Sequence, residues 1–486
     1  MTGQPVDDEQ PHRLLVPVLI GITAIVSIVS SLGAPLIPTV AKAFDVPLRD
    51  AQWSLTIALL SATVAAPVLG RLGDGPHRRT AIIGGLGIVF AGSVLAGLGS
   101  TMPLLLLGRA MQGIGLGLAP LAMAIARHHL PEDRAGEVIG VLSVTAAAGV
   151  GAGYPISGLI AERADVHTAF AFGGLVSGAA LIAGVLVIPR SSGAQRAPLD
   201  LMGALVLAIG LSALLLAITQ AGAQGVSTAW IVAFVVVSGL ALSVWVRHQL
   251  AVDHPLVDLR QMRERAVVLT IVTALVLGFA MYMFLTLVTE FVQGSDGSAI
   301  QVSPLVAGLC LVPFSVFSVL ASRTVRPLIP RVGTPALLAA GSAVITLGGI
   351  FYVEVHSALW HAFVAMGLIG LGFGWSFAAL PMFLTKLVPK REIGSVLGFY
   401  QVVRYIGFTS GSALAGAILG HATAAGGRFP AVGGYAAALW VGVAASLGAV
   451  FLAIAVGRRS MASAPVESEP DRRAVIREAP SESVSN

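Results

Sequence analysis

Long apolar runs alternate with short polar breaks along almost the whole chain. An α-helix rises 1.5 Å per residue, so about 20 apolar residues cross a hydrocarbon core of about 30 Å. Runs that meet this rule predict fourteen membrane helices. Six lie near 14–40, 52–70, 80–99, 103–126, 138–160 and 168–188. After a polar linker from Pro189 to Asp200, two more lie near 201–220 and 229–247. A charged segment, Arg247 to Arg265, precedes the last six, near 266–290, 303–322, 334–353, 358–385, 394–420 and 433–456. The tail from Arg458 is rich in Ser, Glu, Pro and Arg and reads as disordered.

The pattern repeats. Pro131, Gly136, Val138, Gly140, Gly149, Gly153 and Gly158 recur 258 positions later as Pro389, Gly394, Val396, Gly398, Gly407, Gly411 and Gly416. Upstream, Gly113, Gly115 and Gly117 recur as Gly370, Gly372 and Gly374 at an offset of 257. The expected fold is therefore an all-α polytopic membrane protein with two pseudo-symmetric six-helix bundles and two inserted helices. Its units are an N-terminal bundle over 1–189, a linker with the inserted helices over 190–250, a C-terminal bundle over 251–457 and a cytoplasmic tail over 458–486. Parallel six-helix repeats are a transporter architecture, with substrate held between them near the midplane.

Composition agrees. Of 486 residues, 56% are hydrophobic and 11% charged, well below the roughly 25% charged residues of soluble domains. The net charge of +5 raises the question of nucleic acid, but the distribution of basic residues answers it. With both termini in the cytoplasm, 23 Lys and Arg fall on that side, four on the other and two within spans. This is the positive-inside pattern of a cell-membrane protein, and no nucleic-acid partner is expected. The single cysteine, Cys310, allows no internal disulfide. No HExxH, CxxC or Walker-type loop is present, and no loop is long enough for a soluble catalytic domain, so neither an enzyme, a metal site, a cofactor nor ATP drive is expected.

Three stretches carry candidate chemistry. Between spans two and three, Gly70-Arg-Leu-Gly-Asp74-Gly-Pro-His-Arg78-Arg79 sets an acid and a basic pair in a tight glycine turn. Span four holds Arg109 with Gln112 one turn away; an arginine inside a span costs at least ~2.5 kcal/mol, so it has a function or a set of backbone carbonyls to hold. Span five runs Gly140 to Gly158 with Pro155 near its end, where glycines permit close helix contact and proline bends the helix. These three stretches resemble the signature loop, the second motif and the antiporter motif of the major facilitator superfamily. The loop departs from the usual pattern at Gly75 and His77, and the last motif has Tyr154 inserted between Gly153 and Pro155. Together with fourteen spans, and the inserted pair entered through Asp200 and left through Pro255 to Arg260, the chain is similar to the fourteen-span drug:proton antiporter branch. The resemblance implies that Gly70, Asp74, Arg78 and Arg79 form a gating loop and that Arg109 takes part in proton coupling. It also implies that Gly149, Gly153, Pro155 and Gly158 pack span five against its neighbours.

One departure is chemically important. The branch carries an aspartate in span one, and Val29 occupies that place. No Asp or Glu falls at mid-membrane in the span assignment; Glu290, at the end of its span, is the replacement proton carrier or else an acid reaching water. The deep charges are both positive, Arg109 and Arg404. Arg404 shares a helical face with Tyr400, Gln401 and Phe408; Tyr400, Gln401 and Arg404, with Gln112 and Trp375, are the candidate substrate-cavity set, and an interhelical structural bond is the alternative for Arg404. The expected function is proton-driven export of small amphipathic or drug-like molecules by a monomer in the lipid bilayer, powered by the proton gradient. The alternative is uptake or uniport of an anionic metabolite, suggested by the two deep arginines.

Overall fold

A computed structural model describes residues 13–32, 36–74, 77–189, 200–221, 227–253, 255–257, 259–260, 264–294, 300–388, 393–423 and 430–462. The described chain is helical throughout. The first group is α1 (Leu15–Ser31), α2 (Ile37–Ala43), α3 (Leu48–Ala51), α4 (Trp53–Asp74), α5 (Arg78–Leu98), α6 (Met102–Gly113), α7 (Leu118–His129), α8 (Glu132–Arg163) and α9 (Val166–Val187). A 3-10 turn, Ile114–Gly117, joins α6 to α7. Next come α10 (Leu201–Ala221) and α11 (Thr228–Ala251). The last group is α12 (Arg265–Gln293), α13 (Pro304–Leu309), α14 (Val312–Val332), α15 (Thr334–Glu354), α16 (Leu359–Leu387), α17 (Ile393–His421) and α18 (Val432–Ala462).

This is an all-α polytopic membrane fold, but the expected count of fourteen spans needs correction. Among the described residues, twelve segments are long and apolar enough to cross a membrane. The first expected span falls short because its apolar run is divided: α1, with 17 residues, is only about 26 Å long. The run resumes as α2, which begins with Pro38 in its first turn, where the missing N–H has no helical partner to lose. The glycine-rich α8, at the place of the fifth expected span, is not among the twelve either. Large apolar side chains face outward, Leu98 at 78% and Leu175 at 73% exposure, as a surface dissolved in lipid requires. Helix α18 continues to Ala462, beyond the expected boundary at 457, and the rest of the tail lies outside the described residues.

Local chemistry sets the helix boundaries. Asp165 caps α9 by accepting from the Thr168 amide at 2.7 Å, and Asp200 does the same for the Gly203 amide at the start of α10. Gly333 alone links α14 to α15 at φ +80°, a conformation that a side chain would strain.

The two sets of repeated glycines occupy equivalent packing positions. Gly113 and Gly117 lie against the α4 backbone at Ala58 and Ala66, and their counterparts Gly370 and Gly374 lie against α14 at Phe314 and Ser318. Gly149 rests on α1 at Ala24 and Ser27; Gly407 rests on α12 at Leu275 and Phe279. Gly158 then meets Pro304 and Leu305 of α13, while Gly416 meets Gln52, ahead of α4. Helices α8 and α17 thus each contact both their own part of the chain and the other part.

The inserted pair is fastened by Asp200. Its carboxylate accepts from His248 Nε2 at 2.8 Å and from Gln249 Nε2 at 2.7 Å, and Gln249 Oε1 accepts from the Val257 amide at 2.9 Å. Leu207, Leu211 and Trp245 form a small core that packs on Leu60 and Val68 of α4 and on Phe399 and Ile406 of α17.

Candidate functional site

The two deep arginines have opposite surroundings. Arg109, on α6, is fully buried and its guanidinium is spent on acceptors. Its Nε donates to the Ser54 carbonyl at 2.9 Å, Nη2 to the Ser30 carbonyl at 3.0 Å, and Nη1 to Val29 O at 3.2 Å and Gln112 Oε1 at 2.7 Å. Val29 and Ser30 lie in the last turn of α1, where carbonyls run out of helical partners; Val29 O keeps only a long bond from the Leu32 amide at 3.3 Å. Arg109 therefore caps α1 where its apolar run is interrupted. At the position where the resemblance expects an aspartate, Val29 offers its backbone carbonyl to this arginine instead.

Gln112 belongs to the same knot. Its amide nitrogen donates to Ser93 Oγ at 3.0 Å, and its own carbonyl accepts from Ser30 Oγ at 2.9 Å. The structure places it among α1, α5 and α6, not beside Arg404.

Arg404, on α17, is equally buried but poorly supplied. Aromatic rings surround its guanidinium: Phe377 at 5.1 Å, Tyr400 at 5.4 Å, Phe408 at 5.5 Å and Tyr405 at 5.7 Å from the centroids. Ring faces attract the cation without accepting a strong hydrogen bond. Nη1 reaches Tyr400 Oη at 3.4 Å, and Nε has no partner. One turn back, Gln401 has neither amide atom paired. Each unmade buried hydrogen bond costs roughly 1–3 kcal/mol, so such a concentration marks a place built for something other than packing.

A line of polar side chains approaches this cage along α12. Tyr282, Thr286 and Glu290 are spaced by four residues and so share one face of the helix. All three are buried, and Tyr282 Oη, Thr286 Oγ1 and Glu290 Oε2 have no partners. Tyr282 stacks on Phe408 at 4.7 Å and lies within electrostatic reach of both Arg109 and Arg404. At the far end, Glu290 Oε1 accepts from Gln52 Nε2 at 3.3 Å. Glu290 is buried, not an acid reaching water at the end of its helix. The i, i+4, i+8 spacing of Tyr282 and Thr286 ahead of Glu290 was present in the sequence and is the signal that would have identified the face.

The remaining expected residues fall in three places. Trp375 is apart from the cage: it is half-buried on α16 and donates to Thr324 Oγ1 of α14 at 2.9 Å. Phe377, two residues on, takes its place beside Arg404. In the loop after α4, Gly70 lies within the helix, while the Asp74 side chain and Gly75 are outside the described residues. Arg78 is buried, and Arg79 donates to the Val185 and Ile188 carbonyls at 2.8 Å each, fastening the start of α5 to the end of α9. In α8, Gly149 contacts α1, Gly153 is buried, and Pro155 with Gly158 meets α13, where Gly308 lies against Tyr154 O and Pro155 Cα. The inserted Tyr154 is buried with its hydroxyl unpartnered.

Contacts between the two repeat-bearing parts run the length of α8 and α17. Tyr405 donates to the Leu116 carbonyl at 2.8 Å, the Thr63 and Thr409 hydroxyls pair at 3.1 Å, Ser315 donates to Ala148 O at 3.1 Å, and Ser303 donates to Glu162 at 3.0 Å. Arg326 and Glu137 approach only to 3.8 Å and are well exposed, so that pair contributes little.

Known proteins resemble this chain in sequence or in fold. The chain is 27% identical over 391 residues to multidrug resistance protein Stp of Mycobacterium tuberculosis, covering 79% of this chain and 71% of Stp. It is 25% identical over 427 residues to the tetracenomycin C resistance and export protein of Streptomyces glaucescens, covering 87% and 78%. A crystal structure of an auto-inhibited POT family peptide transporter superposes with a TM-score of 0.59 at 16% identity, covering 92% of this chain and 96% of that one, a likeness of fold. The Major Facilitator Superfamily model matches residues 19–412, from α1 into α17 and across every element of the site. The chain therefore belongs to the Major Facilitator Superfamily, and it is a membrane transporter rather than an enzyme.

Proposed function

We propose that this transporter exports small amphipathic, drug-like molecules in exchange for protons. In this reading both termini lie in the cytoplasm. The parts before and after the inserted pair rock about the α8 and α17 contacts. The names of the two relatives, a multidrug resistance protein and a resistance and export protein, support export.

The observation that carries proton coupling is Glu290. Among the described residues it is the acidic side chain buried within a membrane-crossing helix. One oxygen is held by Gln52 from the other part of the chain and the second is unpartnered. A carboxyl can take up and release a proton, and this one is bonded across the contact between the two parts. Separation of the two parts breaks the Gln52 bond and admits water, so the proton is released when the parts move. Arg109 acts by holding α1 in place beside this path, and Arg79 acts within the gating loop by holding α9. In reconstituted vesicles, Glu290→Gln is expected to abolish drug-evoked proton movement while leaving protein insertion at wild-type level. Unchanged proton movement in that variant would remove Glu290 from the mechanism.

A second reading, transport of an anion without proton exchange, is favoured by the unfilled guanidinium of Arg404. Substrate-evoked pH change separates the two, since only antiport produces it.

A further inference from the structure

The two buried arginines divide the labour of the centre. Arg109 makes four hydrogen bonds to groups of the protein. Arg404 has only tyrosine hydroxyls as polar neighbours, Tyr400 at 3.4 Å and Tyr405, with an unpartnered Nε and no carboxylate beside it among the described residues. Four aromatic rings hold its position through their faces but supply no formal countercharge. Gln401 adds an unpartnered donor and acceptor on the same helical face, and Tyr282 adds a hydroxyl from α12, stacked on the Phe408 ring of the cage. Flat rings around a vacant guanidinium suit a flat ligand that ends in charged oxygens.

We propose that the Arg404–Gln401 cage binds the carboxylate of a planar aromatic substrate. The guanidinium and the Gln401 amide nitrogen donate to its oxygens, as charge-assisted bonds to a carboxylate require. Phe377, Tyr400 and Phe408 supply ring faces for its body. The inference rests on export of amphipathic molecules as the function and assigns the chemical class that the binding site selects. Neutral and cationic aromatics, which leave Arg404 without a countercharge, are the compounds it discriminates against. Charge complementarity of this kind needs both attraction of the right ligand and rejection of the wrong one.

The test is binding by the purified full chain in lipid nanodiscs, without a proton gradient. The probes are three compounds of one ring system: 2-naphthoate, 2-naphthamide and 2-naphthylmethylammonium. Calorimetry is expected to show 2-naphthoate bound at least tenfold more tightly than either of the others. Gln401→Glu places a carboxylate one turn from Arg404, so it is expected to weaken 2-naphthoate at least tenfold and to raise the melting temperature. Arg404→Gln is expected to abolish the preference for the anion. Equal affinities, a preference for the ammonium probe, no binding of any probe, or unaltered 2-naphthoate binding by Gln401→Glu would each overturn the assignment. Failure of proton antiport would appear separately, as drug transport by the Glu290→Gln protein with its proton movement unchanged, and would leave the three affinities as they are.

Discussion

Nη1 of Arg109 donates to the backbone carbonyl of Val29 at 3.2 Å, so a buried charge closes the end of a membrane helix. The same guanidinium serves Ser30 and Ser54, an arrangement that only a planar fork of donors can make. Arg109→Lys is expected to keep the charge yet lose most of these bonds. Each buried polar group left unpaired costs roughly 1–3 kcal/mol, so the melting temperature in detergent should fall by several degrees, with Arg109→Ala failing to accumulate in the membrane.

The Val29 position also permits a gain. Val29 is buried, and its own carbonyl is bonded to a guanidinium already in place, so an acid there has a nearby countercharge where a lysine does not. Val29→Asp is expected to accumulate normally and Val29→Lys to be lost, as measured by immunoblot of membrane fractions. Combined with Glu290→Gln, Val29→Asp is expected to restore part of the drug-evoked proton movement in vesicles. Silence of the double variant would confine the proton carrier to the Glu290 position.

Much of this was legible in the sequence, and the exceptions have physical causes. Glycines at fixed offsets announced the duplication because close backbone approach tolerates no side chain, and Gly149 and Gly407 do rest on equivalent helices. Arg109 was visible as a costly residue, but its partners are carbonyls, which every residue owns and no sequence pattern displays. The first span was misjudged because hydropathy counts apolar residues and does not see that α1 stops at Ser31. Trp375 and Phe377 are two residues apart on α16, and periodicity alone does not say which of them the neighbouring α17 will meet.

Tyr405 and Leu116 tie α17 to the 3-10 turn through a hydroxyl and a carbonyl 2.8 Å apart. Tyr405→Phe removes the donor and leaves the ring in the Arg404 cage. A modest loss of stability, about 1 kcal/mol, is expected, with a larger change in the balance of conformers than in fold. Accessibility of single cysteines placed along α17 would report it; identical labelling in both proteins would show that this bond does not influence the equilibrium.

The clasp at Asp200 makes a prediction about acid. Burial raises its carboxyl, but bonds from His248, the Gly203 amide and Gln249 outweigh that effect and hold it below the ordinary carboxylate value. A group depressed in the folded state stabilises above its unfolded value and loses that contribution as pH falls through the folded one. Asp200→Asn is therefore expected to lower the melting temperature at neutral pH. The gap from the native protein should close progressively below about pH 4, measured by thermal denaturation across pH.

Gly308 lies against Tyr154 O and Pro155 Cα, with no room for a β-carbon. Gly308→Val is expected to force α8 and α13 apart at a cost of about 1–3 kcal/mol, reducing drug efflux while the protein still reaches the membrane. Efflux at the native rate in cells carrying that variant would show that the close contact is dispensable.

That contact has a mechanical meaning. Where Gly158 and Gly308 place bare backbone against bare backbone, there are no knobs to lift from holes, and the surfaces part or shear without a single rotamer change. Apolar packing continues beside it, where Tyr154, Ala307 and Leu311 share one buried core, but the glycine contact itself adds no interlocked side chains. Directional resistance to their separation comes from a small number of polar bonds, Ser303 to Glu162 and Gln52 to Glu290 among them. A joint secured in this way yields to whatever alters those few bonds, and one of them ends on the acid that is proposed to carry the proton.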